Sequence, residues 1–333
     1  MVLREFAAPL THGGDLGAAR KLFPGAPEPF IDLSTGINPF SYPLPRLEPA
    51  AFVRLPEPGA VDRLGAVAAA AYRAPSATHV VAAPGVQILL PMVAALVRPG
   101  RAAVLGPTYE EHVRAAALAG HAVREVAHLS DLAGVDLAMV VNPNNPDGRL
   151  AGRAELLALA DALAPGLLVV DEAFMEATPG DASLAADVSR ANVVVLRSFG
   201  KFFGLAGLRL GFALAHQDHA ARLAAALGPW AVSGPALAIG AAALADADWI
   251  AATRVRLAAA ARRLDDLLAA AGLERTGGTA LFRLVRTSAA RAVFERLGHA
   301  GIFVRGFADQ PTWLRFGLPG DEPAWQRLAA ALS

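Results

Sequence analysis

The sequence predicts an α/β protein in which a large domain, with a mostly parallel sheet between two layers of helices, is joined to a smaller α+β domain. Short apolar runs alternate with alanine- and leucine-rich helical patterns as far as Gly228, which is typical of successive β-α-β units. Beyond Gly228, a long amphipathic stretch precedes a mixture of short strand and helix patterns. We therefore expect a large domain over residues 40–228 and a small domain formed by residues 1–39, which include an N-terminal arm, and residues 229–333.

The elements of each domain follow from the period and length of the apolar runs. In the large domain, runs bounded by turn residues predict strands at Val80–Ala82, Ala102–Leu105, Leu137–Val141, Leu167–Val170, Val193–Leu196 and Leu210–Ala213. Helical spacing predicts helices at Ala60–Tyr72, Gln87–Val97, Glu110–Leu118 and Arg153–Leu163. In the small domain we expect helices at Ala247–Ala271 and Ala289–Leu297, and strands at Leu281–Val285, Ile302–Val304 and Thr312–Phe316. Because ligands of parallel sheets bind beyond the carboxyl ends of strands, residues directly after each strand are the candidates for a site.

The composition argues against several classes of protein. Thirty basic residues balance thirty acidic ones, which argues against a nucleic-acid partner or a membrane surface. The chain has no cysteine, so disulfides, thiolate ligands and a cysteine nucleophile are ruled out, and we expect no metal site. The longest apolar stretch, Val80–Val97, is interrupted by prolines and a glycine, which favours a strand–turn–helix over a membrane span. With no secretory signal at the N-terminus, these features predict a cytoplasmic protein.

The most informative segment is a glycine-rich turn after a predicted strand, SFGKFFGLAGLRLG, which runs from Ser198 to Gly211. Its Lys201 is one of only two lysines, beside twenty-eight arginines. A lysine can act as a nucleophilic amine when it is partly desolvated, a task that arginine cannot perform. Ser198 and Arg209 offer a hydroxyl and a guanidinium, which are suited to binding a phosphate.

Three further segments also follow predicted strands. Asp171 closes the strand in LLVVDEAF and would place a carboxylate at the carboxyl end of the sheet. Asn145 lies in the turn VNPNNPDG, and Gly85 and Val86 lie in the strand-to-helix turn AAPGVQ, whose amide groups would suit a phosphate. Each segment alone is also typical of an ordinary turn. Their order along the chain is what points to a function.

Taken in order, NPNNPxG, DEAF and SFGKxxGLAGLRxG resemble the motifs of fold-type I pyridoxal 5′-phosphate (PLP) enzymes, specifically the aminotransferase class I/II group. The resemblance covers nearly the whole chain and implies a seven-stranded sheet, a homodimer and a PLP cofactor carried by Lys201 as a Schiff base. It also implies that Asp171 pairs with the pyridinium nitrogen, that Tyr109 stacks on the ring and that Asn145 binds the ring hydroxyl. The residues that would hold the cofactor phosphate are Gly85, Val86, Ser198 and Arg209.

Two families within this group fit best, the L-threonine-O-3-phosphate decarboxylases of cobalamin biosynthesis and the histidinol-phosphate aminotransferases. The opening HGG at His12, the segment DLSTGINP, the phenylalanine at 174 and the segment PWAVS from Pro229 resemble the decarboxylases. This similarity implies decarboxylation of L-threonine O-3-phosphate to (R)-1-aminopropan-2-ol O-2-phosphate. The alternative is an aminotransferase acting on histidinol phosphate or a related amino acid.

The same resemblance assigns a set of substrate residues. It implies that Arg315 binds the substrate carboxylate, that His12 and Arg305 lie near the substrate phosphate and carboxylate, and that Gly36 and Asn38 line the pocket. Taken from the sequence alone, His12 could equally be a mobile terminal histidine. The chain departs from its relatives at Leu55, where many carry a tyrosine that reaches the cofactor phosphate of the neighbouring subunit. Leucine cannot donate that hydrogen bond, which puts this contact in question but not the expected homodimer.

Overall fold

The computed structural model describes residues 13–333, and these divide into two compact units. The larger unit contains residues 41–145 and 149–251, and the smaller contains the described residues up to Phe40, residues 146–148 and residues 252–333. The sequence predicted a boundary after residue 228, whereas the structure places residues 229–251 with the larger unit.

The strands are β1 Ile31–Leu33, β2 Val80–Ala83, β3 Arg101–Leu105, β4 Ala122–Val126, β5 Leu137–Val141, β6 Leu167–Asp171, β7 Val193–Ser198, β8 Gly211–Ala215, β9 Arg275–Thr279, β10 Phe282–Arg286, β11 Ile302–Gly306 and β12 Trp313–Gly317. The helices are α1 Leu16–Leu22, α2 Ala50–Val53, α3 Pro58–Tyr72, α4 Val86–Ala94, α5 Glu111–Leu118, α6 Arg153–Leu163, α7 Phe199–Phe202, α8 Gln217–Leu227, α9 Gly234–Ala245, α10 Ala247–Ala270, α11 Ala290–His299 and α12 Glu322–Leu332. Single 3₁₀ turns lie at Ala77–His79, Leu129–Leu132, Met175–Ala177, Ala185–Asp187 and Ala206–Leu208.

The larger unit is built on a seven-stranded sheet with the order β2-β8-β7-β6-β5-β3-β4. Every neighbouring pair is parallel except the two pairs that involve β8. Strands β5, β6 and β8 are buried along their whole length, as expected for a sheet covered on both faces. The predicted mostly parallel seven-stranded sheet is confirmed.

Strand β4 is the element of this sheet that the sequence analysis missed. It is the edge strand, and only Val126 of its five residues is buried. Its sequence, AVREV, therefore contains charged residues where a central strand would carry a continuous apolar run.

Residues 229–251 belong to the larger unit because α9 packs closely against it. A Cβ atom at Gly240 would lie 2.5 Å from a side-chain carbon of Leu210, and one at Gly234 would lie 2.3 Å from the carbonyl oxygen of Ala51. Only glycine permits these approaches. The helix is apolar on nearly all sides, with the sequence GPALAIGAAALA, which is typical of a core helix.

The smaller unit contains a five-stranded sheet with the order β1-β11-β12-β10-β9, in which only β1 and β11 pair in parallel. Phe23, Phe30 and Phe303 form an apolar cluster beside it. The turn residues 146–148 belong here because the Asp147 carbonyl accepts a 2.8 Å hydrogen bond from the Gly278 amide. The predicted α+β character of the second domain agrees with this arrangement.

Within residues 13–333, no helix by itself has the length and apolar composition needed to cross a membrane. The helices α9 and α10 meet the length and composition criteria only as a pair, and they are bent by 77° at the break between them.

Candidate active site

The larger unit brings the ends of several strands to one edge of its sheet. Along that edge, Val141 pairs with Asp171, and Ser198 and Ala83 both pair with Gly211. The turn that begins after β2 and the segment that begins after β7 therefore start on the two strands that flank β8. The cofactor residues assigned by resemblance all lie in this unit.

Asp171 is a buried carboxylate held by two donors. Its Oδ1 accepts a 2.9 Å hydrogen bond from the Ala173 amide, and its Oδ2 lies 3.0 Å from Nε2 of His112. The His112 side chain is almost fully buried, and an Nε2–H group of its ring can donate this hydrogen bond to Asp171. These two contacts fix the direction of the carboxylate.

His112 is a site residue that the sequence analysis missed. It lies one helical turn after Tyr109, and the two rings meet edge to face with centroids 6.0 Å apart. The spacing of three residues is the only signal in the sequence, and it does not distinguish a site histidine from one that merely packs in the core.

Lys201 lies in the short helix α7 with its side chain half-buried. Its Nζ atom is 5.9 Å from the ring centroid of Phe174, the phenylalanine of DEAF. The rings of Phe199 and Phe203, two residues before and two residues after Lys201, stack with their centroids 4.3 Å apart. Lys201 is therefore carried by a segment that aromatic packing holds in place.

The candidate phosphate-binding turn is formed by Gly85 against Arg209. Gly85 has a φ of 86° and immediately precedes α4, so amide groups of the first helical turn are exposed beside it. A Cβ atom at Gly85 would lie 2.7 Å from Nη2 of Arg209, so only glycine allows the guanidinium this close. Ser198 ends the strand next to Gly211, and it is half-buried.

Asn145 lies half-buried in the turn after β5, next to the fully buried Asn144. The Asn144 side chain accepts a 2.6 Å hydrogen bond from the Thr108 hydroxyl and donates one of 2.9 Å to the carbonyl of Pro107. This pair of bonds ties the turn that carries Asn145 to the loop that carries Tyr109. Asn144 was not assigned a role from the sequence.

A buried ion pair lies beside these strand ends. Glu172, directly after Asp171, is fully buried and lies 2.7 Å from Nη2 of Arg197, which precedes Ser198. Burial raises the pKa of Glu172, although Arg197 and the Leu184 amide oppose the rise. The pair joins the ends of β6 and β7. Each of its members is adjacent in the sequence to a candidate cofactor residue, Glu172 to Asp171 and Arg197 to Ser198.

The candidate substrate residues that the structure describes lie in the smaller unit. Arg315 on β12 and Arg305 on β11 are direct cross-strand partners, so their side chains leave the same face of the sheet. Arg315 is buried and donates a 2.7 Å hydrogen bond to the carbonyl of Ser34. Burial, followed by the charge of Arg305, lowers the pKa of Arg315 to about 10, and Asp32 acts in the opposite direction. Two neighbouring cations, one of them buried, favour binding of an anion.

Gly36 and Asn38 are buried in the segment after β1, where the Asn38 side chain accepts a 2.8 Å hydrogen bond from the Phe40 amide. His12 lies outside the described residues. Leu55 is exposed, with 65% of its surface accessible. Among residues 13–333, no group of three or more histidine, aspartate or glutamate side chains is placed to hold a metal ion.

The residues present in the larger unit fit a PLP cofactor. A buried, ionisable carboxylate at 171 suits a pyridinium nitrogen, a half-buried amine at 201 suits an aldehyde, and the Gly85 turn with Arg209 suits a phosphate. Fold and site together define a PLP-dependent enzyme of fold type I.

The chain belongs to the aminotransferase class I and II family, whose model matches residues 68–332. It is 44% identical over 97% of its length to a protein named threonine-phosphate decarboxylase from Pseudomonas aeruginosa, and covers 97% of that relative. It is 45% identical over 98% of its length to a protein of the same name from Sinorhizobium sp, and covers 98% of it.

The fold is also found among solved structures. The crystal structure of histidinol-phosphate aminotransferase from Sinorhizobium meliloti in complex with PLP has a TM-score of 0.80 and 24% sequence identity, with 95% of this chain and 92% of that chain covered. This likeness establishes the fold.

Proposed function

We propose that this chain is a PLP-dependent lyase that decarboxylates L-threonine O-3-phosphate. The observation that carries the proposal is the name shared by two relatives, which are 44% and 45% identical to the chain over nearly its whole length. The product would be (R)-1-aminopropan-2-ol O-2-phosphate, a step in cobalamin biosynthesis. Because both substrate and cofactor are charged phosphate esters that cross membranes poorly, we place the reaction in the cytoplasm.

The chemistry divides between the cofactor and the chain. When bound, PLP supplies an electron-withdrawing pyridinium ring that takes up the electron pair released at the substrate Cα. Asp171 would hold the proton on the ring nitrogen, and His112 and the Ala173 amide fix the direction of its carboxylate. Tyr109 would cover one face of the bound ring, and Asn145 would donate to the ring hydroxyl.

Lys201 has two tasks in this proposal. Its amine holds the cofactor before substrate arrives, and its ammonium then protonates the substrate Cα after CO₂ has left. Ser198, Arg209 and the amides of the Gly85 turn would hold the phosphate of bound PLP, an anchor that does not depend on Lys201.

Arg305 and Arg315 bind the substrate through its anionic groups. The two guanidiniums oppose each other across β11 and β12, and the repulsion between them is relieved when a carboxylate or phosphate binds. Arg315 can form two parallel hydrogen bonds to a carboxylate, which fixes its orientation. Gly36, Asn38 and His12 complete the substrate site in this proposal.

The proposal is tested by incubating the purified protein with PLP and L-threonine O-3-phosphate. We expect release of CO₂ and of a phosphorylated amino alcohol, without any need for 2-oxoglutarate. Formation of a keto product that depends on 2-oxoglutarate, with histidinol phosphate as the better amino donor, would instead identify an aminotransferase.

A further inference from the structure

A chain of hydrogen bonds leads from the Tyr109 hydroxyl to the surface of the larger unit. The Tyr109 hydroxyl donates to Oε1 of Gln87 at 3.1 Å, and Nε2 of Gln87 donates to Oε2 of Glu111 at 2.5 Å. The same Oε2 atom accepts a 2.9 Å hydrogen bond from Nη1 of Arg114. These hydrogen bonds thus connect the start of α4, which follows the Gly85 turn, with the first turn of α5 and with the loop before it.

Glu111 determines which groups donate and which accept in this series of hydrogen bonds. Its side chain is about 10% exposed, and an ionised carboxylate can only accept hydrogen bonds. Gln87 must therefore point its NH₂ group at Glu111 and its carbonyl oxygen at Tyr109. As a result, the tyrosine hydroxyl is the donor in its hydrogen bond to Gln87.

The Tyr109 ring is restrained at a second place by His112. The two rings are inclined at 82°, and His112 itself is bonded to Asp171. One restraint acts on the hydroxyl and the other on the ring, so the orientation of the tyrosine plane is fixed relative to the carboxylate.

We infer that Gln87 and Glu111 are positioning residues that hold the Tyr109 ring in the plane required for stacking on the cofactor. This inference rests on the proposed function, in which Tyr109 covers the pyridine ring. Gln87 ends the segment AAPGVQ and Glu111 lies outside every quoted motif, and neither side chain is assigned a contact with the cofactor or substrate.

The charges around Tyr109 support the same view. Burial, followed by the charges of Glu111, Asp171 and Glu110, raises the pKa of Tyr109 to about 12, while Arg209 acts to lower it. Neutralising Glu111 removes the largest of these charge effects and also the acceptor that orients Gln87.

The central experiment is a double-mutant cycle with Gln87→Leu and Tyr109→Phe, because phenylalanine keeps the ring and removes only the hydroxyl. In the wild-type background, we expect Gln87→Leu to raise the Kd for PLP about 2- to 10-fold, the range for one net hydrogen bond. The induced circular dichroism of bound PLP should decrease as well. In the Tyr109→Phe background, Gln87→Leu should change neither quantity. Gln217→Leu, which alters an exposed glutamine on α8, is the matched control.

A second measurement uses the protein without PLP. A rapid alkaline pH jump followed by phenolate absorbance should show a transition that Tyr109→Phe removes and that Glu111→Gln moves to lower pH. Glu295→Gln, an exposed glutamate on α11, should leave it in place.

The two experiments separate the possible failures. If Gln87→Leu weakens PLP binding equally with and without the hydroxyl, or does not weaken it at all, Gln87 does not position Tyr109. If Glu111→Gln leaves the phenolate transition unchanged, Glu111 does not orient the hydrogen bonds from Gln87 to Tyr109. If the wild-type protein does not bind PLP, the proposed function fails, whereas the pH jump still reports on the hydrogen bonds.

Discussion

Lys201 is the side chain on which the proposed chemistry of the larger unit depends. Lys201→Ala should abolish the absorbance band near ~420 nm of the Schiff base between PLP and the protein, because no other amine of the larger unit lies in the glycine-rich turn and arginine cannot replace it. Absorbance spectra with added PLP, followed by gel filtration, measure this. Lys21→Ala is the matched control, since Lys21 is the other lysine of the chain and is exposed on α1. A band that survives in the Lys201 variant would refute the assignment.

Arg315 offers a test of substrate binding. Arg315→Lys keeps a positive charge but loses the planar fork that binds a carboxylate through two hydrogen bonds. We expect the KM for L-threonine O-3-phosphate to rise about 10- to 100-fold, or roughly 1.4 to 2.8 kcal/mol of binding free energy. Steady-state kinetics measure this KM. Arg286→Lys, at the exposed end of β10, should leave KM within twofold, and an unchanged KM in the Arg315 variant would exclude Arg315 from the substrate site.

The raised pKa of Tyr109 has a consequence for stability at alkaline pH. A phenol that titrates at about 12 in the folded protein, against 10.0 in the unfolded chain, binds more protons when folded over that range. Its contribution to stability is therefore complete below pH 10 and is lost as the pH rises toward 12. The free energy of unfolding of the wild type should fall more steeply over this interval than that of Tyr109→Phe. Urea denaturation at successive pH values measures both, and parallel curves would contradict the prediction.

At the scale of elements, the ion pair between Glu172 and Arg197 stabilises the ends of β6 and β7. Arg197→Met leaves the buried Glu172 carboxylate without its cation and removes the contact of the guanidinium with the Tyr72 ring at 4.9 Å. We expect a loss of about 3–5 kcal/mol in the free energy of unfolding, as for other buried pairs from which one partner is removed.

Chemical denaturation of Arg197→Met tests this expectation against an exposed pair of the same kind. Arg190→Met breaks a surface ion pair with Asp161, in which both side chains are at least 42% exposed, and should cost less than about 1 kcal/mol. Equal losses in the two variants would show that burial does not set the strength of the Glu172 pair.

The accuracy of the sequence prediction varied with the environment of each element. Strand β5 and helix α6 have the predicted bounds, since a buried parallel strand is a continuous apolar run and α6 has a clear helical period. The analysis missed β4, an exposed edge strand, and α9, whose apolar residues surround the helix and leave no amphipathic period. Helices α8 and α12 were also not predicted.

At the scale of the whole molecule, we propose that the chain forms a homodimer. The larger unit exposes several large apolar side chains, namely Leu44, Phe52, Val53, Leu55, Val61 and Trp230. Phe52 and Val53 lie on α2, whose Ala51 contacts the start of α9 a few residues after Trp230. Large exposed apolar groups, two of them adjacent on α2, are typical of a surface that a partner covers.

Sedimentation equilibrium tests the homodimer. The wild type should sediment with twice the 34.4 kDa of the chain, and the double variant Phe52→Glu with Val53→Glu should shift toward the monomer, because charged residues are costly at the core of an interface. Val255→Glu changes an equally exposed valine on α10 in the smaller unit and should leave the mass unchanged. A monomeric wild type would refute the proposal.

The sequence by itself determined the fold class, the mostly parallel sheet, the family and the PLP cofactor. It could do so because motifs such as SFGKFFGLAGLRLG depend on local geometry, with glycine, lysine and arginine at fixed spacings after a strand. The tertiary structure decided which side chains surround them. The contacts of His112 with Asp171, of Gln87 with Tyr109 and of Arg305 with Arg315 join residues from different elements. Such contacts depend on packing and strand register, which a single sequence does not encode at any fixed spacing.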